Sequence, residues 1–231
     1  MSHPDPHIFA AVADTLRARH TTRRFLPTPV TRETVAELLK LASAAPSGTN
    51  AQPQKVYALA GEALKKFCAI VHGSFETLGG EPHEYEYYPA QWAEPWLSRR
   101  RKLGFDLYGA VGIARGDKAR MQAQTGRNYL FFDAPVGLIF TQSRHLAQGM
   151  FLDQGIFIAN LVVAAQAKGL ATCVQTAWAE LPASVHRALG IGADEIVVAG
   201  MALGHADPAA PENALRTERE PVEGFTDFRG F

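Results

Sequence analysis

The sequence predicts a single mixed fold of helices and strands, with helices in the majority, and three observations carry that expectation. The first is size. A chain of 231 residues buries about 70% of its unfolded surface, enough for one core or one core with an appendage. The second is patterning, because stretches with helical apolar spacing alternate with short apolar runs of strand length. The third is composition: 47% hydrophobic and 20% charged residues, with 20 Gly and 14 Pro in no repeat, exclude disordered and collagen-like chains.

Taken in order, Thr31 is placed to cap a helix in which Val35, Leu38, Leu39 and Ala42 recur at helical spacing, Glu33 favours the dipole and Pro46 ends the run. After a polar loop, residues 55–60 (KVYALA) read as a strand and 62–71 as an amphipathic helix carrying Leu64, Phe67, Cys68 and Val71. Residues 73–120 change character, crowding Tyr85, Tyr87, Tyr88, Trp92, Trp96, Phe105 and Tyr108 around Arg99, Arg100, Arg101 and Lys102. They read as an insertion packed on the main body. Regular patterning resumes with a strand at 134–141 (APVGLIFT) and a long helix over about 146–168, apolar on most faces, closed by Gly169. A strand at 170–176 (LATCVQT), a helix opened by Pro182 and ending near Gly190, and a strand at 195–203 complete the body. The tail, 208–231, mixes charge with Leu215, Val222, Phe225, Phe228 and Phe231. So many aromatics predict that it lies on a surface, its own or a partner subunit's.

Composition also excludes functions. Twenty-three basic residues balance twenty-three acidic ones, so no global field draws the chain to nucleic acid or an anionic membrane, and any anion must be held locally. The basic set is 16 Arg and 7 Lys, which suits bidentate recognition of phosphate or carboxylate. Cys68 and Cys173 form no CxxC pair, and the eight histidines are scattered; the nearest pair, His3 and His7, falls in a terminus expected to fray. No disulfide framework or metal site is expected. The residues before Arg17 lack a basic leader region, and the greasy stretch 156–165 is too short to span a bilayer, so a soluble, cytoplasmic protein is expected. The phosphate-loop, zinc-protease, serine-hydrolase and dinucleotide-binding motifs are missing.

Three polar clusters remain at element boundaries. Residues 19–25, R-H-T-T-R-R-F, supply three guanidiniums and two hydroxyls within seven residues, enough for a phosphate and a second anionic centre, though the same run fits a solvated basic turn. Residues 45–53, A-P-S-G-T-N-A-Q-P, offer Ser, Asn and Gln side chains and free amides to a flat heterocycle, or form an ordinary connecting loop. Residues 216–221, R-T-E-R-E-P, carry charge that in a tail usually serves solvation.

Together with F-F-D-A-P-V-G at 131–137 and L-A-T-C-V-Q-T at 170–176, these clusters resemble the nitroreductase family of flavin-dependent NAD(P)H oxidoreductases over nearly the whole chain outside the insertion. The insertion, with Tyr87-Tyr88-Pro89 and Arg99-Arg100-Arg101, is similar to the branch acting on nitrobenzoates and nitrophenols.

The resemblance implies one domain, residues 1–231, with an α+β sandwich around a mostly antiparallel sheet. It implies an intertwined homodimer whose 208–231 arm wraps the partner, and FMN at the dimer interface. It further implies that Arg19 and one of Arg216 or Arg219 hold the ribityl phosphate with Thr21, that His20 contacts the phosphate or ribityl region, and that Arg23 faces the pyrimidine edge of the ring. Ser47 and Asn50 would come from the other subunit, on a loop shaped by Pro46 and Gly48. The backbone at Thr176 and Ala177 would lie at flavin N5, and Arg127 or Asn128 at the ring. A guanidinium at the pyrimidine edge raises the flavin's reduction potential. The implied reaction is ping-pong two-electron hydride transfer from NAD(P)H to a small aromatic acceptor, with no catalytic acid or base from the protein. Trp92 and Trp96, with Tyr85 and Tyr88, could roof the cleft or simply pack the insertion. Dehalogenation, enal or quinone reduction, flavin cleavage and non-catalytic flavin binding share the same motifs. So does a structural dimer in which the arginines pair with Glu218 and Glu220.

Overall fold

The computed structural model describes residues 5–231. Among them, helices α1 (Pro6–Ala18), α2 (Arg32–Ala42), α3 (Gly61–Leu78), α4 (Trp96–Ala110), α5 (Lys118–Gly126), α6 (Phe151–Ala167) and α7 (Pro182–Leu189) surround strands β1 (Gln54–Ala60), β2 (Val136–Ser143), β3 (Ala171–Gln175) and β4 (Glu195–Gly204). The sheet order is β1-β2-β4-β3 and every pairing is antiparallel. A parallel contact enters only through the bridge between Thr21 and Thr172.

Both faces of the sheet are covered, which is why β2 and β4 read as continuous apolar runs and not as alternation. Along β2 and β4, Val136, Leu138, Phe140, Ala199, Met201 and Leu203 face α2 and α6. Ile139, Val197 and Ala202 face α3, α7 and the rings of Tyr129, Phe131 and Trp178. Two glycines make the second face possible: a Cβ at Gly137 would overlap the Phe131 ring, and one at Gly200 would overlap Trp178. The two rings stack at 4.3 Å over the space so left.

The expected elements are present with revised ends. Thr31 caps α2 through its hydroxyl, which accepts the Thr34 amide, but α2 stops at Ala42, before Pro46. Helix α3 runs past Gly73 because Ser74 and Phe75 extend its buried stripe, and it ends where Gly79 takes φ 72°. The first residues of the 73–120 segment are therefore core helix, and the rest contains α4 and the start of α5. The chain from 146 to 150 is a separate turn, so α6 begins at Phe151. Helix α1 was not expected. Asp5 caps it, Pro6 sits in its first turn, and His7 is helical and not frayed, while His3 lies outside the described residues.

The segment Gln148–Ala167 has 20 residues at hydropathy 1.4, long and apolar enough by length and composition to cross a membrane; the stretch 156–165 understates it. Gln154, Phe157, Leu161 and Ala165 are buried against the sheet and α2, the pattern of a core helix, yet only a third of the segment is covered by its own chain. The apolar stripe of α1 (Ile8, Phe9, Val12, Leu16) is likewise exposed, as are Val222, Phe225, Phe228 and Phe231 in the tail. The tail itself divides. Ala210, Glu212 and Asn213 are buried on the body, and everything beyond Leu215 lies on the surface.

Candidate functional site

Residues 19–26 form an extended edge segment stapled on both sides. The Thr22 amide donates to the Thr172 carbonyl at 3.0 Å on the β3 side. Opposite, the Leu26 amide donates to the His205 carbonyl at 2.9 Å, and the Asp207 amide to the Arg24 carbonyl at 3.1 Å. Extended backbone sends alternate side chains to opposite faces, so Arg19, Thr21 and Arg23 share one side while Arg24 turns away to Asp133 and Glu212.

On the shared side lies a cavity of about 450 Å³ lined by Arg19, His20, Thr21, Arg23, Arg216 and Arg219, with Leu16, Leu103 and Leu215 as apolar wall. The first and third sequence clusters therefore meet, and both Arg216 and Arg219 reach the cavity. Among the described residues none of Arg19, Arg23, Arg216 and Arg219 has a carboxylate within ion-pair distance; Arg216 and Arg219 donate instead to carbonyls and a hydroxyl of their own tail. Glu218 and Glu220 are drawn to Lys102 and Arg99 of α4. Within the chain, the tail carboxylates therefore pair with α4 and not with these four arginines.

Arg23 also lines a second cavity of about 320 Å³, with Tyr88, Tyr108, Gln124, Asn128, Phe132, Cys173, Gln175, Thr176, Ala177 and Glu180. Two buried polar atoms here have no partner in the chain, the acceptor Gln175 Oε1 and the donor Gln124 Nε2. Such atoms are costly unless a ligand or water satisfies them. Gln175 Nε2 donates to the Asn128 carbonyl at 2.7 Å, which fixes both residues. Asn128 thus faces the cavity, whereas Arg127 turns to Asp133 at 3.0 Å and lines another depression. Burial pushes the Cys173 thiol up to about 12, with Arg23 acting in the opposite sense, and burial raises the Glu180 carboxyl despite His83 and Tyr129.

Backbone strain marks the loops around these cavities. Phe131, Phe132 and Asp133 are consecutive residues at φ 46°, 53° and 66°, and Thr49, Asn50 and Gln52 in the 45–53 loop take φ 53°, 59° and 48°. Each left-handed non-glycine residue costs about 1–2 kcal/mol, and such strain gathers at functional sites. The first run buries Phe131 and Phe132 while turning Asp133 out to Arg24 and Arg127. The second is pinned by the Gly48 amide donating to Asp153 at 3.2 Å and the Gln52 amide to Ser47 Oγ at 3.0 Å.

Pro46, Ser47, Gly48 and Asn50 line neither cavity of their own chain. Nor do Trp92 and Trp96: Trp92 packs on Tyr88 at 5.5 Å beneath the Arg100 guanidinium, and Trp96 is exposed at the start of α4. Tyr88 and Tyr108 are the insertion's rings at the cavity wall, and Tyr85 donates to the Val198 carbonyl beside an apolar groove of about 510 Å³. Gln124, Gln175 and Asn213 are the polar residues that the motifs did not single out.

A cationic end that suits an anion, an aromatic-walled end with side-chain amides, and a guanidinium between them fit a phosphorylated flavin such as FMN, and these residues suit that group. Comparison with known proteins agrees. The family model described as "Nitroreductase family" matches residues 16–205. The chain is 38% identical to the nitrobenzene nitroreductase of Ectopseudomonas oleovorans, across 94% of this chain and 96% of that protein. It is 36% identical to the 4-nitrobenzoate reductase of Pseudomonas putida, across 93% of each. Among solved structures, the FMN- and NADPH-dependent nitroreductase NfnB of Sphigopyxis sp. strain HMH superposes with TM-score 0.91 at 36% identity, covering 95% of this chain and 99% of that one. By fold, by sequence and by the residues gathered around Arg23, the chain belongs to the nitroreductase family.

Proposed function

We propose that the protein is an FMN-dependent NAD(P)H oxidoreductase that reduces nitroaromatic acceptors as a homodimer. The observation that carries this reading is the pair of cavities sharing Arg23, one lined by Arg19, Arg216 and Arg219 without carboxylate partners and the other walled by aromatic rings and side-chain amides. Arg19, Arg216 and Arg219, with Thr21 and His20, hold the phosphate. Arg23 places its charge at the pyrimidine edge of the ring, Asn128 with the unpaired Gln175 oxygen faces the ring's polar edge, and the backbone of Thr176 and Ala177 runs alongside. When bound, FMN supplies two-electron chemistry that couples nicotinamide oxidation to acceptor reduction.

The protein's own task is to bind and orient. Tyr88, Tyr108 and Phe132 give flat walls on which an aromatic ring can stack, and Leu107 with these rings excludes water. The relatives are named for nitrobenzene, chloronitrobenzene and 4-nitrobenzoate. These differ in ring substituent and share only the nitroarene, so stacking and the nitro group are the common recognition elements.

Homodimerisation is supported by the uncovered faces of α1 and α6, the apolar groove between them, and the aromatic tail, which are exposed apolar surfaces of the kind that mark protein contacts. In the dimer, Pro46, Ser47, Gly48 and Asn50 of the partner subunit would close the cofactor site, which accounts for their absence from the cavities of their own chain. The test is a visible spectrum of the purified protein, taken before and after anaerobic NADH and NADPH and again after adding nitrobenzene. A flavin spectrum bleached by nicotinamide and restored by the nitroarene is expected; protein that takes up no FMN, or whose FMN neither nucleotide reduces, refutes the reading.

A further inference from the structure

Asn213 is buried to 6% exposure between the two arginine segments, and it uses every hydrogen-bonding group of its side chain. Its Oδ1 accepts the backbone amide of Arg23 at 2.7 Å. Its Nδ2 donates to the carbonyl of Arg24 at 2.8 Å and to that of Asp207 at 2.9 Å. Its own carbonyl accepts Arg216 Nη1 at 2.8 Å. An amide has one acceptor and two donors, and only an amide of this length satisfies this set. The residue therefore ties the extended 19–26 segment, the 205–207 return and the start of the tail at one point. Nothing else described joins the Arg23 backbone to the Arg216 guanidinium so directly.

The consequence is electrostatic. Four guanidiniums without carboxylate partners repel one another, and left to themselves the edge segment and the tail would relax apart. A fixed cross-link holds them converged before the anion arrives, and a preorganised charged site binds more tightly than one that must be assembled on binding. We infer that Asn213 is a positioning residue that registers the Arg19–Arg23 segment against Arg216 and so sets the preference for a phosphorylated flavin over the same flavin without phosphate. The inference rests on the assignment of FMN to this groove.

The experiment titrates apoprotein with FMN and with riboflavin, following flavin fluorescence, for the wild type, Asn213→Ala and Asn213→Ser. Asn213→Asp would keep the acceptor for the Arg23 amide but add a charge that repels phosphate, so the uncharged Asn213→Ser variant, which removes both donors, decides the matter if the Ala variant does not fold. The expected result is FMN affinity lowered about tenfold or more with riboflavin affinity unchanged, since only the phosphate reads the convergence of the guanidiniums. Equal losses for the two flavins, the mark of a merely structural residue, overturn the inference, and so does FMN affinity left intact in both variants. Wild-type protein that binds riboflavin as tightly as FMN instead removes the phosphate from the groove and takes the underlying assignment with it.

Discussion

Two arginines of one extended segment should fail in opposite ways, because Arg19 lines the anion cavity while Arg24 turns away to Asp133 and Glu212. Arg19 lines the anion cavity with no carboxylate partner, and Arg19→Ala removes one charge-assisted hydrogen bond to phosphate. Such a bond contributes about 1.5–3 kcal/mol, which at about 1.4 kcal/mol per decade weakens FMN roughly 10- to 150-fold. The apoprotein should unfold at an unchanged temperature, since nothing in the chain depends on that guanidinium. Arg24 instead lies 2.8 Å from Asp133 and 3.6 Å from Glu212, whose side chain is only 4% exposed. Asp133 keeps Arg127 when Arg24 is removed, whereas the buried Glu212 loses its ion pair and retains only the longer-range attraction of Arg127. Stripping one partner from a fully buried pair costs about 3–5 kcal/mol, and the 41% exposure of the Arg24 side chain brings the expected loss to about 2 kcal/mol. At about 2–4 °C per kcal/mol for a chain of this size, Arg24→Ala should melt about 4–8 °C lower with FMN affinity nearly unchanged. Fluorescence titration and thermal unfolding of the two apoproteins decide it. If Arg19→Ala keeps FMN at wild-type affinity, or if Arg24→Ala loses FMN without losing stability, the division of faces is wrong.

Three other outcomes follow from the same geometry. Gly200→Ala drives a methyl into the Trp178 ring, and overpacking of this kind costs about 1–3 kcal/mol; a chemical-denaturation midpoint equal to wild type would show that the stacked rings yield freely. Burial holds the Cys68 and Cys173 thiols up to about 12 from an ordinary 9.0, so the unfolded chain loses these protons first as pH rises. That stability is intact below pH 9 and drains between 9 and 12 by at most about 1.4 kcal/mol per pH unit for each thiol. Replacing both cysteines with Ser or Ala should flatten the alkaline limb of a stability–pH curve. A chain ended after Ala214 keeps Asn213 but lacks Arg216, Arg219 and the exposed Val222, Phe225, Phe228 and Phe231. It is expected to be monomeric and colourless on a sizing column, and a yellow dimer would remove the tail from both roles.

The sheet was legible in the sequence because each strand is a short run between turn signals, and in the central strands β2 and β4 burial on both faces leaves no alternation to confuse them with a surface strand. Helix α1 was not, although Asp5 before Pro6 is a sound start signal. None of its residues is buried by its own chain, and a helix of 13 residues without packing is marginal in water, so local spacing there promises little. The ends of α2, α3 and α6 shifted for a related reason. A proline or glycine marks where a helix can stop, but the buried stripe decides where it does, and at Gly73 the stripe continues through Ser74 and Phe75.

The candidate site divides along the same line. Arg19, Thr21 and Arg23 stood out as part of a dense basic run, and it was the run's resemblance to a family motif that suggested a role for each. Gln124, Gln175 and Asn213 did not, since a single amide in a strand or loop looks the same whether it is solvated, satisfied or left with a bare atom facing a cavity. Charge shows what the fold adds. The chain carries 23 basic and 23 acidic residues, and the count alone gives any arginine an available partner. The structure spends those partners elsewhere: Glu220 on Arg99, Glu218 on Lys102, Asp133 and Glu212 on Arg24, Glu84 on Arg144. Neutrality overall is thereby compatible with a local excess of four guanidiniums, which is the charge the proposed phosphate would meet.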